Sequence, residues 1–284
     1  MSDLAGKTIL ITGANTGIGR ETALALGRRG ATLYLAGRSE ERTGPVVEEA
    51  RAAGAGGARY LPLDLGDLAS VRACADAFLE RADALDVLID NAGLAGQPGT
   101  TKDGFERTFG VNHLGHFLLT ERLSDALKAG ADASGTPSRV VLVSSKAHYR
   151  AEGIDWDALE KPTATTTGLP EYAVSKLCNV LHAKELSRRR RAEGIHTYAL
   201  HPGVVASDVW RSVPWPIRPV MKLFMSSNEE GAATSIHCAT APELAEHSGR
   251  YYDDCTEREP SELAKDEALA AELWERSVSW AGLD

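Results

Sequence analysis

The chain has 284 residues and a mass of 30.3 kDa, with 43% hydrophobic and 25% charged residues, the proportions of an ordinary globular protein able to bury a sizeable core. Thirty-one basic against forty acidic side chains leave a formal charge of −9 and a pI of about 5.5, which argues against nucleic acid or an anionic membrane surface as partner. Cys74, Cys178, Cys238 and Cys255 form no CxxC pair that would mark a zinc knuckle or redox dithiol, no stretch reaches the roughly 18 apolar residues of a membrane span, and the opening MSDLAGK has an acid where a signal peptide carries base; the expectation is a reduced, unprocessed, cytoplasmic protein.

Short runs rich in Val, Ile, Leu and Tyr alternate with longer segments of helical spacing. Strands are predicted at 8–12, 31–36, 58–63, 86–90, 139–143, 195–200 and 249–252. Runs apolar on both faces suit a parallel sheet covered by helices on each side, so the predicted architecture is a doubly wound α/β sheet of about seven parallel strands. No repeat or linker divides the chain, and residues 1–284 read as one domain. Two long irregular stretches, 146–171 and 203–226, are expected to hold the substrate, because long loops in compact domains are usually functional.

The first strand, TILIT, runs into Gly13-Ala14-Asn15-Thr16-Gly17-Ile18-Gly19 and then into a helix. Glycines there let the backbone turn tightly and approach a pyrophosphate, while the free N–H groups and positive end of the helix receive its charge. The spacing is GxxxGxG rather than the usual GxGxxG. The second strand ends in Gly37-Arg38, where an acid would take ribose hydroxyls and an arginine accommodates a 2′-phosphate. Arg38 therefore favours NADP(H) over NAD(H), unless it pairs with Glu40 or Glu41.

Further along, Asp64-Leu65 follows the third strand, Asn91-Ala92-Gly93 follows the fourth, and Asn112 lies in VNHLG. Ser144-Ser145 ends the fifth strand and Pro202-Gly203 the sixth. Between them, Tyr172 and Lys176 sit four positions apart in a helical segment, so their side chains share one face and can act on one atom. An ammonium near a phenol favours the phenolate and brings its pKa toward the working range of an acid–base catalyst.

These elements, in this order over nearly the whole chain, resemble the short-chain dehydrogenase/reductase family. The segments ITGANTGIGRETA, VNHLGHFLLT, VVLVSSKAH, YAVSKLCNV and HPGVV, with the tail GRYYDDCTEREPSELAKDEALAAELW, are similar to its retinol dehydrogenase and WW-domain oxidoreductase group. The resemblance implies a single Rossmann domain and an NADP(H)-dependent oxidoreductase. Tyr172 would be the general acid, Lys176 would lower its pKa and hold the nicotinamide ribose, and Ser145, with Ser144 as the fallback, would orient the carbonyl. Asn112 would bind a water in a proton relay. The cofactor would lie against Gly13, Asn15, Thr16, Gly17, Ile18, Gly19, Arg38, Asp64, Leu65, Asn91, Ala92 and Gly93, with Pro202, Gly203, Val205 and Ser207 at the nicotinamide. Leu142 and Ser207 depart mildly from the family pattern, which commonly has asparagine and threonine there.

The substrate implied is a small apolar carbonyl or alcohol, with reduction the expected direction. Trp156, Trp210, Trp215, Met221, Phe224 and Met225 each read singly as ordinary packing, but as a group they suggest a lipophilic pocket. Family members often form homodimers or homotetramers through helices flanking the sheet. Two other readings are a dinucleotide-sensing regulator without catalysis, which commonly loses the tyrosine or lysine, and a nucleotide-sugar epimerase or dehydratase, for which the tail after residue 203 is short. No metal is expected: His113 and His116 lack further ligands and read as helix surface. Arg188 to Arg191 read as a solvated helix end that complements the dipole.

Overall fold

A computed structural model of the chain describes residues 3–203 and 227–284. Its sheet has eight strands in the order β3-β2-β1-β4-β5-β6-β7-β8: β1 Thr8–Thr12, β2 Thr32–Gly37, β3 Gly57–Pro62, β4 Val87–Asp90, β5 Ser138–Val143, β6 Ile195–His201, β7 Arg250–Asp253 and β8 Thr256–Arg258. β1 to β7 pair in parallel and β8 returns antiparallel to β7. This last strand was not anticipated. Its two-residue turn is built on Asp254 and Cys255, both with positive φ (51° and 55°), a hairpin conformation usually signalled by Asn-Gly or Asp-Gly.

Helices α1 Gly17–Arg28, α2 Glu40–Ala52 and α3 Leu68–Leu79 connect the first strands. A continuous helical run over 107–122, α4, has a π-helical turn at Gly110–Leu114; the longer helices after it are α5 Ser124–Ser134, α6 Leu169–Arg190, α7 Asn228–Thr240 and α8 Glu267–Trp280 among the described residues. Side-chain alternation divides the core. Ile9 and Ile11 face a layer formed by α1, α2 and α7, whereas Leu10 faces one formed by α3 to α6 and α8, as expected where both faces of a parallel sheet are covered. Sequential winding reverses between β1 and β4, and in such sheets the ligand crevice opens at that reversal, beyond the carboxyl ends of the strands. The glycine turn after β1 and Asn91 after β4 lie there.

α4 corrects one expectation. His113 and His116 are each 1% exposed, His113 because α8 lies over the side of α4 that a sequence-local reading assigns to water, and His116 because it faces Thr12 of β1. His113 Nε2 meets Ser277 Oγ at 3.0 Å, and Phe117 packs edge-on against Trp274 with centroids 5.0 Å apart. The Arg188 to Arg191 run does close α6 at the surface, with Arg188 and Arg189 paired to Glu185 and Arg190 to Glu121.

Candidate active site

A cavity of about 1190 Å³ runs along the carboxyl ends of the strands, larger than the roughly 300–1,000 Å³ of common ligand pockets. Its wall contains Gly13, Asn15, Thr16, Gly17, Ile18, Gly19, Arg38, Asp64, Leu65, Asn91, Ala92 and Gly93 at one side, and Ser145, Tyr172, Lys176, Pro202 and Gly203 at the other. Val205 and Ser207, with Trp210, Trp215, Met221, Phe224 and Met225, lie outside the described residues.

The glycine turn leaves the start of α1 open. No side chain caps that helix at Thr16, so its first N–H groups and dipole are directed at the cavity, a donor set that fits a pyrophosphate. Gly19 is required by packing: a Cβ there would sit 2.5 Å from both Asn91 Nδ2 and the Gly13 carbonyl oxygen. Asn91 fixes the turn from the other strand, donating from Nδ2 to the Thr12 carbonyl at 2.8 Å. Thr12 Oγ1 accepts from the N–H groups of Asn91 and Ala92 and meets His116 Nε2 at 2.9 Å. His116 Nδ1 meets the Asn112 carbonyl at 3.1 Å. The turn after β1, the loop after β4 and the π turn of α4 are thereby tied through one buried imidazole. Asp64 accepts the Gly66 N–H at 3.0 Å and holds its own loop.

Arg38 lines the far end of the cavity together with Ser39 and Arg42. Among the described residues neither arginine forms an ion pair, Glu40 and Glu41 included. Arg42 was missed from sequence, although its place one helical turn after Arg38, beside the Ser39 cap that accepts its N–H, was the available signal.

At the opposite end α6 presents Tyr172 and Lys176 one turn apart. Lys176 Nζ donates to the Val143 carbonyl at 2.8 Å and lies 5.7 Å from the Tyr172 ring centroid. Burial holds the lysine down to about 7. Burial also raises Tyr172 above the usual phenol value, opposed by the Ser145 hydroxyl. Desolvation acts on both groups, and Lys176 Nζ is directed at a backbone oxygen. Ser145 Oγ accepts the Ala147 N–H at 3.2 Å at the head of the turn Lys146–Arg150. Asn112 is fully buried behind the wall. Its Oδ1 accepts from Leu94 N at 2.9 Å, and its Nδ2 donates to Leu94 O and Ser175 Oγ, each at 3.0 Å. The loop 146–171 contributes Ala147, Arg150, Ala151, Glu152, Gly153 and Asp155 to the wall. Trp156 does not join them; it packs on Trp280 and under Arg276, the ordinary packing expected of any one of these residues.

Residues 7–156 match the family model for short chain dehydrogenase. The chain is 42% identical to human (Homo sapiens) retinol dehydrogenase 13 over 99% of its own length and 86% of that protein. Among solved structures it is similar to an NADH-dependent reductase, A1-R′, complexed with NAD, at 27% identity and TM-score 0.69 over 90% of this chain and 97% of that one. It is equally similar to the Pseudomonas aeruginosa RhlG/NADP complex, at 26% identity and TM-score 0.69 over 88% and 95%.

Proposed function

The chain belongs to the short-chain dehydrogenase family, and from that premise we propose that it is an NADP(H)-dependent oxidoreductase that reduces the carbonyl of an apolar small molecule to an alcohol. The observation that carries this reading is the span of one cavity with two guanidiniums, Arg38 and Arg42, that form no ion pair among the described residues, at one end and Tyr172, Lys176 and Ser145 at the other. A guanidinium is a permanent planar fork suited to phosphate oxygens, which supports NADP(H) over NAD(H). When bound, the nicotinamide supplies the hydride.

The chain's own residues do the rest. Tyr172, kept protonated by burial, gives its proton to the carbonyl oxygen. The Ser145 hydroxyl orients that oxygen and stabilises the negative charge that develops on it. Lys176, held near neutrality, binds ribose hydroxyls and returns a proton to the phenol. Asn112 holds the loop at Leu94 beside it and anchors a water for that return. Pro202 and Gly203, at the end of β6, would border the nicotinamide. Leu94, Ala147, Ala151, Leu169, Pro170 and Val174 in the wall support an apolar substrate of the retinoid, steroid, aromatic or polyketide kind. No described helix is long and apolar enough to cross a membrane, and four free cysteines support a cytoplasmic setting. α8 already covers the outer face of α4 and α6, so a homodimer or homotetramer would form on other faces. The complete set of Tyr172, Lys176, Ser145 and Asn112 disfavours a non-catalytic sensor.

The test is oxidation of NADPH and of NADH by the purified protein with retinal, steroid ketones, aromatic ketones and aliphatic aldehydes, Tyr172→Phe in parallel. NADPH-dependent turnover lost in the variant is the expected outcome. Preference for NADH would overturn the role of Arg38, and NADPH binding without turnover of any carbonyl would revive the sensor.

A further inference from the structure

Three residues beyond Ser145, His148 is fully buried and stands outside the cavity wall. Its Nδ1 lies 2.7 Å from the Ser145 carbonyl oxygen, and its Nε2 lies 3.1 Å from the backbone nitrogen of Ser261. A carbonyl only accepts and a backbone N–H only donates, so one neutral tautomer, with its hydrogen on Nδ1, satisfies both. Burial lowers the imidazole pKa and preserves that neutral form. The neighbours repeat the connection. Lys146 Nζ pairs with Asp253 Oδ2 at 2.7 Å, the Tyr149 hydroxyl donates to the Glu259 carbonyl, and the Tyr251 ring packs edge-on against His148 at 4.8 Å. Every one of these partners belongs to the β7–β8 hairpin or to the segment that follows it.

We propose that His148 is the positioning residue of Ser145: it fastens the serine turn to the segment after the β7–β8 hairpin and so fixes where the serine hydroxyl stands relative to Tyr172. An apolar residue of the same size would fill the space but leave the Ser145 carbonyl and the Ser261 N–H without this bridge. The Ser145 main chain is then held by His148 while its Oγ accepts from Ala147, which leaves the hydroxyl hydrogen free to point into the cavity. The inference rests on the role given to Ser145 in the proposed function.

Two substitutions separate positioning from packing. In His148→Asn the amide N–H falls near Nδ1 and keeps the side-chain bond to Ser145; in His148→Gln the longer amide reaches Ser261 and gives up that side-chain bond, leaving the Ser145 carbonyl only the backbone N–H of residue 148 at 3.0 Å. Both leave similar gaps in the packing. With NADPH and the best carbonyl of the panel, His148→Asn is expected within about threefold of the wild-type kcat and His148→Gln about tenfold below it, at unchanged KM for NADPH. A second readout needs no turnover: the Tyr172 titration in protein carrying 13C-labelled tyrosine, its signal assigned by its loss in Tyr172→Phe. Loss of the Ser145 hydroxyl in Ser145→Ala raises that pKa, His148→Gln follows Ser145→Ala, and His148→Asn follows wild type. Equal effects of Asn and Gln on both readouts overturn the proposal, as does a Tyr172 titration unmoved in both Ser145→Ala and His148→Gln. If no carbonyl is turned over, the reaction assigned above fails while the titration still decides the role of His148.

Discussion

The hydroxyl of Ser144 donates to the main-chain carbonyl of Lys176 at 2.7 Å, which ties the end of β5 to the helix that carries the tyrosine and lysine. Both adjacent serines line the cavity, but the Ser144 hydroxyl is committed to holding two elements together, whereas Ser145 Oγ accepts only the Ala147 N–H among the described residues. Ser144→Ala is therefore expected to lower stability by about 1–2 kcal/mol with a few-fold effect on turnover. Ser145→Ala should reduce kcat by about 10²-fold with little change in stability. Urea unfolding and carbonyl reduction, measured on both variants, check the division of labour.

Lys176 gives a pH signature. Its ammonium has an ordinary value of 10.5 and is held down to about 7 in the folded chain. Between these values the unfolded chain binds the proton and the native one does not, so native stability rises with pH by up to about 1.4 kcal/mol per unit. Below pH 7 the folded state bears the full cost of a buried charge. Lys176→Met, which keeps the length and removes the charge, should be more stable than wild type at pH 6, with the difference shrinking toward pH 10. Thermal unfolding across that range would contradict this if the difference stayed constant.

Asp90 slopes the opposite way. Burial raises its carboxyl from 3.8 to about 8, opposed by the Thr120 hydroxyl, which donates to Oδ2 at 3.1 Å while Oδ1 has no partner among the described residues. Between those values the native state retains a proton that the unfolded chain has lost, and stability falls as pH rises. Asp90→Asn has the shape of the neutral acid and removes the fall. The variant should match wild type near pH 4 and exceed it near pH 8, as read by chemical denaturation at both.

Arg38 and Arg42 bear on cofactor choice. A charge-assisted hydrogen bond contributes about 1.5–3 kcal/mol, so Arg38→Ala and Arg42→Ala should each raise KM for NADPH by about 10- to 100-fold and leave KM for NADH nearly unchanged. Steady-state kinetics with both nucleotides at two salt concentrations test this, since the loss should be larger at low salt. Equal effects on the two nucleotides would remove the 2′-phosphate from the argument.

Much of this arrangement was legible in the order of residues. The parallel strands announced themselves as apolar runs followed by Gly13, Asp64, Asn91, Ser144 and Pro202, because each of those positions ends a strand at the crevice and local chemistry decides it. What escaped depends on partners far along the chain. His113 and His116 have no local reason to be buried; α8, which starts at Glu267, covers the first, and the second turns in against Thr12 of β1. β8 escaped because Asp254 and Cys255 adopt positive φ without the usual turn residues. His148 carries no motif of its own, and its meaning depends on Ser261.

The bridge between His148 and Ser261 joins residues 113 positions apart, and that separation sets an order on biosynthesis. A ribosome adding about 5–20 residues per second needs roughly 6 to 23 s after making His148 before Ser261 exists. The glycine turn, α1 and the loop after β4 can assemble early, from the first third of the chain. The serine turn cannot take its final form until the hairpin and the segment beyond it have been made, so in a nascent chain the turns proposed to cradle the nucleotide precede the turn proposed to position the reacting oxygen.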